Sequence, residues 1–416
     1  MSPIILMTPL LAAALLSACV GGNGTSAASV VPAPPQNTLA VTVDAGPPAA
    51  PGGAPIGAIN HAYVTVKVCV PGSQTECASV DHVLLDTGSW GLRLVRSVLT
   101  AHAVTLSPEV DTQGRAIEEC VHFGGGDTWG PVALADVTMA GESAAKLPVQ
   151  VLDDRTVPSP APPATCGANG TLLNTVAGFG ANGVLGVGVF AQDCGAACVS
   201  AATPLAAYYG CTTAGVCTAE NVALVDQVTN PVAAFAVDNN GIIVTMPNLI
   251  NANGDTSVQG ELIFGIATQA DNALPATGLT VLGANASGDF TATYNGGTTL
   301  LPALIDSGTD AYAFNDSTIV VCSTGSFVGY YCPAPAPQNV FAVNIGAGAN
   351  SATNTVNFAI ADPNTFMAGA SAFINLAGGP GSTRFVWGMP FFYGRKIYIG
   401  IDQKVTGAFT GPYYAY

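Results

Sequence analysis

Val83-Leu84-Leu85-Asp86-Thr87-Gly88-Ser89 recurs in the second half of the chain as Ala303-Leu304-Ile305-Asp306-Ser307-Gly308-Thr309. In each copy three apolar residues lead to an aspartate, a hydroxyl residue, a glycine and a second hydroxyl residue. Each copy is answered farther along by an apolar pair, a glycine and another apolar segment. These are Val184-Leu185-Gly186-Val187-Gly188-Val189-Phe190 and Val386-Trp387-Gly388-Met389-Pro390-Phe391-Phe392. The same ordered pair of motifs in two half-chains implies two similar lobes. Physically, an apolar strand runs inward and ends at a carboxylate that is costly to bury unpaired. Glycine lets the backbone turn tightly and approach closely, while the hydroxyls and backbone N–H groups orient the carboxylate. Two such loops brought together place Asp86 and Asp306 in one hydrogen-bonded site. Like charges that close cannot both ionise, so the pair shares a proton and titrates as a unit. One carboxyl can then take a proton from water while the other gives one to a carbonyl oxygen.

On these residues the chain resembles the pepsin-like aspartic proteases, over almost everything from residue 58 to 416, and in particular a bacterial lipoprotein-type branch of that clan. The resemblance implies an all-β, mostly antiparallel, bilobal fold with an active-site cleft between two similar lobes, residues 58–270 and 271–416. It makes Asp86 and Asp306 the catalytic pair, supported by Thr87, Gly88, Ser89, Ser307, Gly308 and Thr309. His122-Phe123-Gly124-Gly125-Gly126-Asp127-Thr128-Trp129-Gly130 takes the place of the flap, the hairpin that closes over substrate. Phe123 stands where the family usually has tyrosine, so the ring lacks a hydroxyl, and the indole N–H of Trp129 is the expected replacement donor. Gly124 and Gly126 flank the tip. Asp310 replaces a small hydroxyl residue next to Thr309, and is expected to raise the pKa of the dyad and to disfavour acidic substrate side chains.

The implied activity is endopeptidase cleavage of an extended polypeptide by direct water attack, with no cofactor, no metal and no covalent intermediate, by a monomer. The rival is a catalytically silent pepsin-like lipoprotein that binds peptide or protein, or serves structurally, at the cell envelope. Family proenzymes carry a basic propeptide, and residues 20–57 contain no Lys or Arg, so no zymogen of that type is expected.

The strand pattern agrees with an all-β body. Residues 62–68 alternate as a half-buried strand should. Asp238-Asn239-Asn240-Gly241 reads as a turn feeding a strand, and residues 260–265 as a strand closing the first lobe. Helical signals are short: residues 96–104, 204–209 and 363–368.

Charged residues make up 9% of the chain against a typical ~25%. With 26 acids and 10 bases the net charge is −16, and no surface could neutralise a phosphate backbone, which excludes nucleic acid as a partner. Basic membrane-surface helices are excluded likewise. Beyond residue 20 no apolar run approaches the ~20 residues of a spanning helix.

Residues 4–16 form an apolar stretch of the length of a signal-peptide h-region. It ends in Leu16-Ser17-Ala18-Cys19, which resembles the lipobox of bacterial lipoproteins. Residues 1–18 are therefore expected to be removed, with Cys19 lipidated as the sole membrane contact. Val20 rather than Asp after Cys19 points, by resemblance to sorted lipoproteins, to the outer membrane. Residues 19–57 read as a flexible Gly/Ala/Pro/Ser tether. Setting Cys19 aside from the 11 cysteines leaves an even number, as in a disulfide-bonded exported protein. Local spacing pairs Cys69 with Cys77, Cys194 with Cys198, Cys211 with Cys217 and Cys322 with Cys332; Cys120 and Cys166 remain to pair.

Other signals are weaker. Gly178-Phe179-Gly180-Ala181-Asn182-Gly183 matches a dinucleotide fingerprint as a string, but a strand-like run follows it where a helix is needed. No Gly-x-Ser-x-Gly elbow accompanies the histidines. Asp238-Asn239-Asn240-Gly241 and Asn251-Ala252-Asn253-Gly254-Asp255 suit turns as well as calcium. Paired acids also suit glycoside hydrolysis, which has no need of tandem Asp-x-Gly loops.

Overall fold

The computed structural model describes residues 37–155, 160–167 and 171–416; the expected signal peptide and the expected lipidation site Cys19 lie outside them. The regular structure of the described chain is almost all strand because its apolar residues alternate. In Ala62–Cys69, Val64, Val66 and Val68 are buried while Thr65 and Lys67 are exposed, which sets one face on a core. The helices are short, Arg96–Ala101 and Val176–Phe179, with a few single 3-10 turns.

Two large sheets carry the architecture. The seven-stranded one belongs to the C-terminal half and runs, in spatial order, Thr353–Ile360, Gln338–Ile345, Phe290–Tyr294, Leu301–Ile305, Phe385–Trp387, Tyr312–Ala313, Ala377–Gly378. The other has 15 strands and holds the N-terminal half. Both sheets repeat one device. Cys77–Asp86 pairs in parallel with Gly183–Val187, Asp86 opposite Gly186, and Leu301–Ile305 pairs in parallel with Phe385–Trp387, Ile305 opposite Trp387. Each answering strand is then flanked on its other side by the strand that leaves the aspartate loop, Trp90–Val95 in one half and Tyr312–Ala313 in the other. The repeated motifs of the sequence are therefore repeated structure.

Three expectations need correction. Thr38–Val43, placed in the tether, is a strand between Ala62–Cys69 and Val258–Phe264, with Val41 and Val43 fully buried. Its six residues alternate, and the surrounding Gly/Ala/Pro composition hid that. Second, residue 270 does not separate two self-contained sheets. Arg395–Gly400, Tyr413–Ala415 and Val281–Gly283, all from the C-terminal half, extend the 15-stranded sheet beyond Gly241–Met246. Third, the helical signal at residues 204–209 gives way to the strand Tyr208–Cys211, which pairs with Ala116–Phe123; tyrosines favour a pleated, half-buried surface.

All five expected disulfides are formed: Cys69–Cys77, Cys120–Cys166, Cys194–Cys198, Cys211–Cys217 and Cys322–Cys332. Such density belongs to an oxidising, exported environment.

Candidate active site

The two aspartate loops meet with near two-fold symmetry. In the first, Gly88 N donates to Asp86 Oδ1 at 2.8 Å and Ser89 Oγ donates to Asp86 Oδ2 at 2.6 Å. In the second, Gly308 N donates to Asp306 Oδ1 at 2.8 Å and Thr309 Oγ1 to Asp306 Oδ2 at 2.6 Å. Each glycine faces the opposite carboxylate. A Cβ on Gly88 would lie 2.5 Å from Asp306 Cγ, and one on Gly308 would lie 2.7 Å from Asp86 Cγ. No other residue fits these two positions, and the carboxylates are consequently close neighbours. Gly186 and Gly388 are required for a related reason: a Cβ would fall 2.6 Å from Trp90 N and 2.0 Å from Ala311 O respectively.

The remaining hydroxyls tie the two halves together. Thr87 Oγ1 donates to Ile305 O at 2.9 Å and accepts from Ser307 N at 3.0 Å. Ser307 Oγ donates to Leu85 O at 2.6 Å and accepts from Thr87 N at 3.2 Å. Both side chains are buried. Replacing Ser307 by alanine strands a backbone acceptor and a backbone donor together, at a cost of about 1–3 kcal/mol. Urea unfolding of Ser307→Ala beside Thr87→Ser, which keeps its hydroxyl, measures this; equal stability of the two variants would contradict it.

Asp86 is 6% exposed and Asp306 half-buried. Burial first, then the charge of Asp306 and a hydrogen bond with it, push Asp86 up to about 8, against the opposing effect of Ser89 and Gly88. Asp310 is not among the causes, contrary to expectation. Its Oδ2 accepts from the Tyr330 hydroxyl, and the charged group that acts on it is His61.

The hairpin of Ala116–Phe123 and Gly126–Met139 turns at Gly124-Gly125, both exposed. Phe123 packs edge-to-face on Phe179 at 5.3 Å and joins the cluster of Leu84, Val184 and Tyr63. Side chains two apart on a strand share a face, so Leu84 and Asp86 point the same way and Phe123 lies over the face that bears the dyad. Trp129 does not take the role expected of it. It is fully buried, and its Nε1 donates to Pro160 O at 3.0 Å, because it sits four residues beyond Gly125, down the second strand from the tip.

Both edges of the hairpin are held. Tyr208–Cys211 pairs with one strand. On the other, Asp127 bridges to Leu172 and a Cβ on Gly126 (φ +150) would meet Thr171 O at 2.6 Å, while the Cys120–Cys166 disulfide ties down the first strand.

Sequence reasoning missed a buried ionic cluster at the base of this hairpin. Arg93 Nη2 reaches Glu119 Oε1 at 2.7 Å and Asp193 Oδ2 at 2.9 Å, Nη1 donates to Trp90 O at 2.7 Å, and Tyr208 donates to Asp193 Oδ1 at 2.6 Å. Burial pushes Glu119 well up, while Arg93 opposes and Asp193 adds to the rise. The arginine was legible: it interrupts the apolar run Trp90-Gly91-Leu92-Arg93-Leu94-Val95, and a charge in a buried strand must be paired.

Groups of potential metal ligands, Cys120/His122/Asp127 and Cys322/Cys332/Asp362, draw their sulfurs from disulfides and offer no thiolate.

No curated protein matches the chain. Among solved structures it is similar to an aspartic proteinase from Irpex lacteus, at 14% identity and a TM-score of 0.50, over 91% of this chain and 96% of that one. At that identity the likeness concerns the fold alone, which is the bilobal pepsin-like one. Residues 33–416 match a family model described as "Protein of unknown function (DUF3443)", and the chain belongs to that family.

Proposed function

We propose that this chain is an aspartic endopeptidase, anchored at the bacterial cell envelope through a lipid on Cys19, that hydrolyses peptide bonds in an extended polypeptide lying across the cleft. The observation that carries the proposal is the pair of facing carboxylates with matched supports. Each holds one backbone N–H and one hydroxyl hydrogen bond in the same geometry, and each is approached by the other loop's glycine.

The chemistry follows from the shared proton. Burial and the neighbouring Asp306 raise Asp86, which suits Asp86 to the part of proton donor. Asp306 accepts a proton from the attacking water while Asp86 gives its own to the carbonyl oxygen, so the tetrahedral diol forms without free hydroxide or an oxyanion. Collapse passes a proton to the leaving amine, breaks the C–N bond and restores the starting protonation. The hydrogen bonds from Ser89 and Thr309 hold both carboxyls in place throughout. An acidic, lysine-poor chain suits a reaction favoured at low pH, since few positive charges accumulate as carboxylates protonate.

A second reading is favoured by the hairpin, whose held edges and hydroxyl-free Phe123 suit a binding lipoprotein with no turnover. A statine-type peptide, whose secondary hydroxyl mimics the diol, addresses the dyad itself. At about 100 times its Kd it stabilises the fold by ~2.7 kcal/mol, seen as a rise of a few degrees in Tm. Absence of any rise at saturating peptide, with the disulfides intact, would count against a working dyad.

A further inference from the structure

Two acceptors, Asp310 and His61, stand next to the aspartate loops. Asp310 follows Thr309, whose hydroxyl holds Asp306. Its backbone carbonyl accepts from Asn60 Nδ2 at 2.7 Å and its Oδ2 from Tyr330. Among the described residues Tyr330 is the one side chain that donates to its carboxylate, the other hydrogen bond coming from its own backbone N–H, and no lysine or arginine pairs with Asp310.

His61 supplies the second acceptor. The register that sets Tyr63 opposite Leu84 carries residue 61 to the level of Asp86, on the same face. The Tyr63 hydroxyl donates to Gly180 O at 2.7 Å, so its oxygen accepts from His61 Nδ1, 3.2 Å away. The proton is thereby fixed on Nδ1, and Nε2 keeps its lone pair. Gly180, at φ +76, is what admits the ring, since a Cβ there would lie 2.9 Å from His61 Cε1. Burial holds His61 below its usual value despite the attraction of Asp310. Phe179, next in sequence to Gly180, and Phe123 stack edge-to-face as an apolar wall beside it.

We infer that Asp310 and His61 form a subsite for a cationic group of the substrate, an ammonium or guanidinium. The inference rests on the peptidase reading and specifies its substrate class. A carboxylate oxygen and an imidazole lone pair offer acceptors only, and the Tyr330 proton is already given to Asp310. An N–H-rich cation satisfies both acceptors, with a charge-assisted bond to Asp310, and its alkyl stem lies along Phe123 and Phe179. A substrate carboxylate meets repulsion and no donor. The cation comes either from a lysine or arginine side chain or from the peptide's own N-terminal amine.

The test uses neutral peptides in which one lysine is walked through every position, each with its norleucine counterpart and each with a free and an acetylated N-terminus. One position is expected where lysine exceeds norleucine in kcat/KM by about tenfold or more, and Asp310→Asn is expected to bring that ratio close to one. Taking the ratio cancels any general effect of the substitution on the dyad; His61→Gln provides a second variant, with a smaller fall. A preference for the free over the acetylated terminus, lost in Asp310→Asn, would assign the cation to the N-terminal amine. Equal rates for lysine and norleucine at every position and for both termini would overturn the subsite, as would a ratio that Asp310→Asn leaves unchanged. If the wild type cleaves nothing, the peptidase reading fails, and the affinities of statine-type peptides bearing lysine or norleucine decide the subsite separately: tighter lysine binding supports it and equal or absent binding overturns it.

Discussion

Replacing Asp86 by asparagine is expected to lower peptide hydrolysis by about 10³-fold or more and, at neutral pH, to make the protein more stable. The first effect follows from the proton: asparagine cannot give one to a carbonyl oxygen. The second follows from linkage. Asp86 is raised by burial and by Asp306, so the folded state binds its proton more tightly than the unfolded chain does. The stability this contributes is fully present below the unfolded carboxylate value near ~4 and is lost as pH rises through the folded value of about 8. Asparagine keeps the shape of the carboxyl and can donate to Asp306, without the penalty of a second charge. The Tm of Asp86→Asn should therefore exceed that of the wild type by a few degrees at pH 7–8, and the gap should close as pH approaches ~4. A Tm gap independent of pH would show that the two carboxylates are not coupled.

Replacing Arg93 by methionine should be the most destabilising single change near the site. The guanidinium is 1% exposed, as is Glu119, and it also contacts Asp193. Removing it leaves the buried Glu119 and the neighbouring Asp193 with no cation between them, and breaking a buried pair in this way costs about 3–5 kcal/mol. The loss should be largest at neutral pH and shrink in acid, where Glu119, already raised by burial, takes up a proton and no longer needs the cation. Adding Glu119→Gln should recover part of it. Urea unfolding at two pH values measures both effects; a loss under ~1 kcal/mol that does not change with pH would mean that water reaches the cluster. Arg93 also lies 5.9 Å from the Phe123 ring, so the change should loosen the hairpin tip and raise KM for peptides.

The pair of facing aspartates was legible because the chain states it twice, and each copy carries its own glycine and hydroxyls. The local disulfides were legible because short spacings leave few partners. What escaped was non-local. Thr38–Val43 is ordinary alternating strand, but its partners lie in Ala62–Cys69 and Val258–Phe264, and composition averaged over residues 19–57 hides six residues. Tyr208–Cys211 becomes a strand because the hairpin offers it an unpaired edge, which no window around residue 204 contains. Trp129 was given a cleft role from its distance to the tip in sequence, whereas its indole needed a buried acceptor and found Pro160. The effect of Asp310 on the dyad was misjudged because proximity in sequence was taken as proximity of charge. Its carboxyl turns to Tyr330.

Digestion of an unfolded protein by the exported chain, followed from about pH 3 to about pH 7, tests the central claim most directly. Wild type, Asp86→Asn and wild type with a statine-type peptide are run side by side. Cleavage by the wild type that vanishes in both other samples is the predicted result. No cleavage at any pH by a folded chain with its disulfides formed, or cleavage that survives Asp86→Asn, would contradict it.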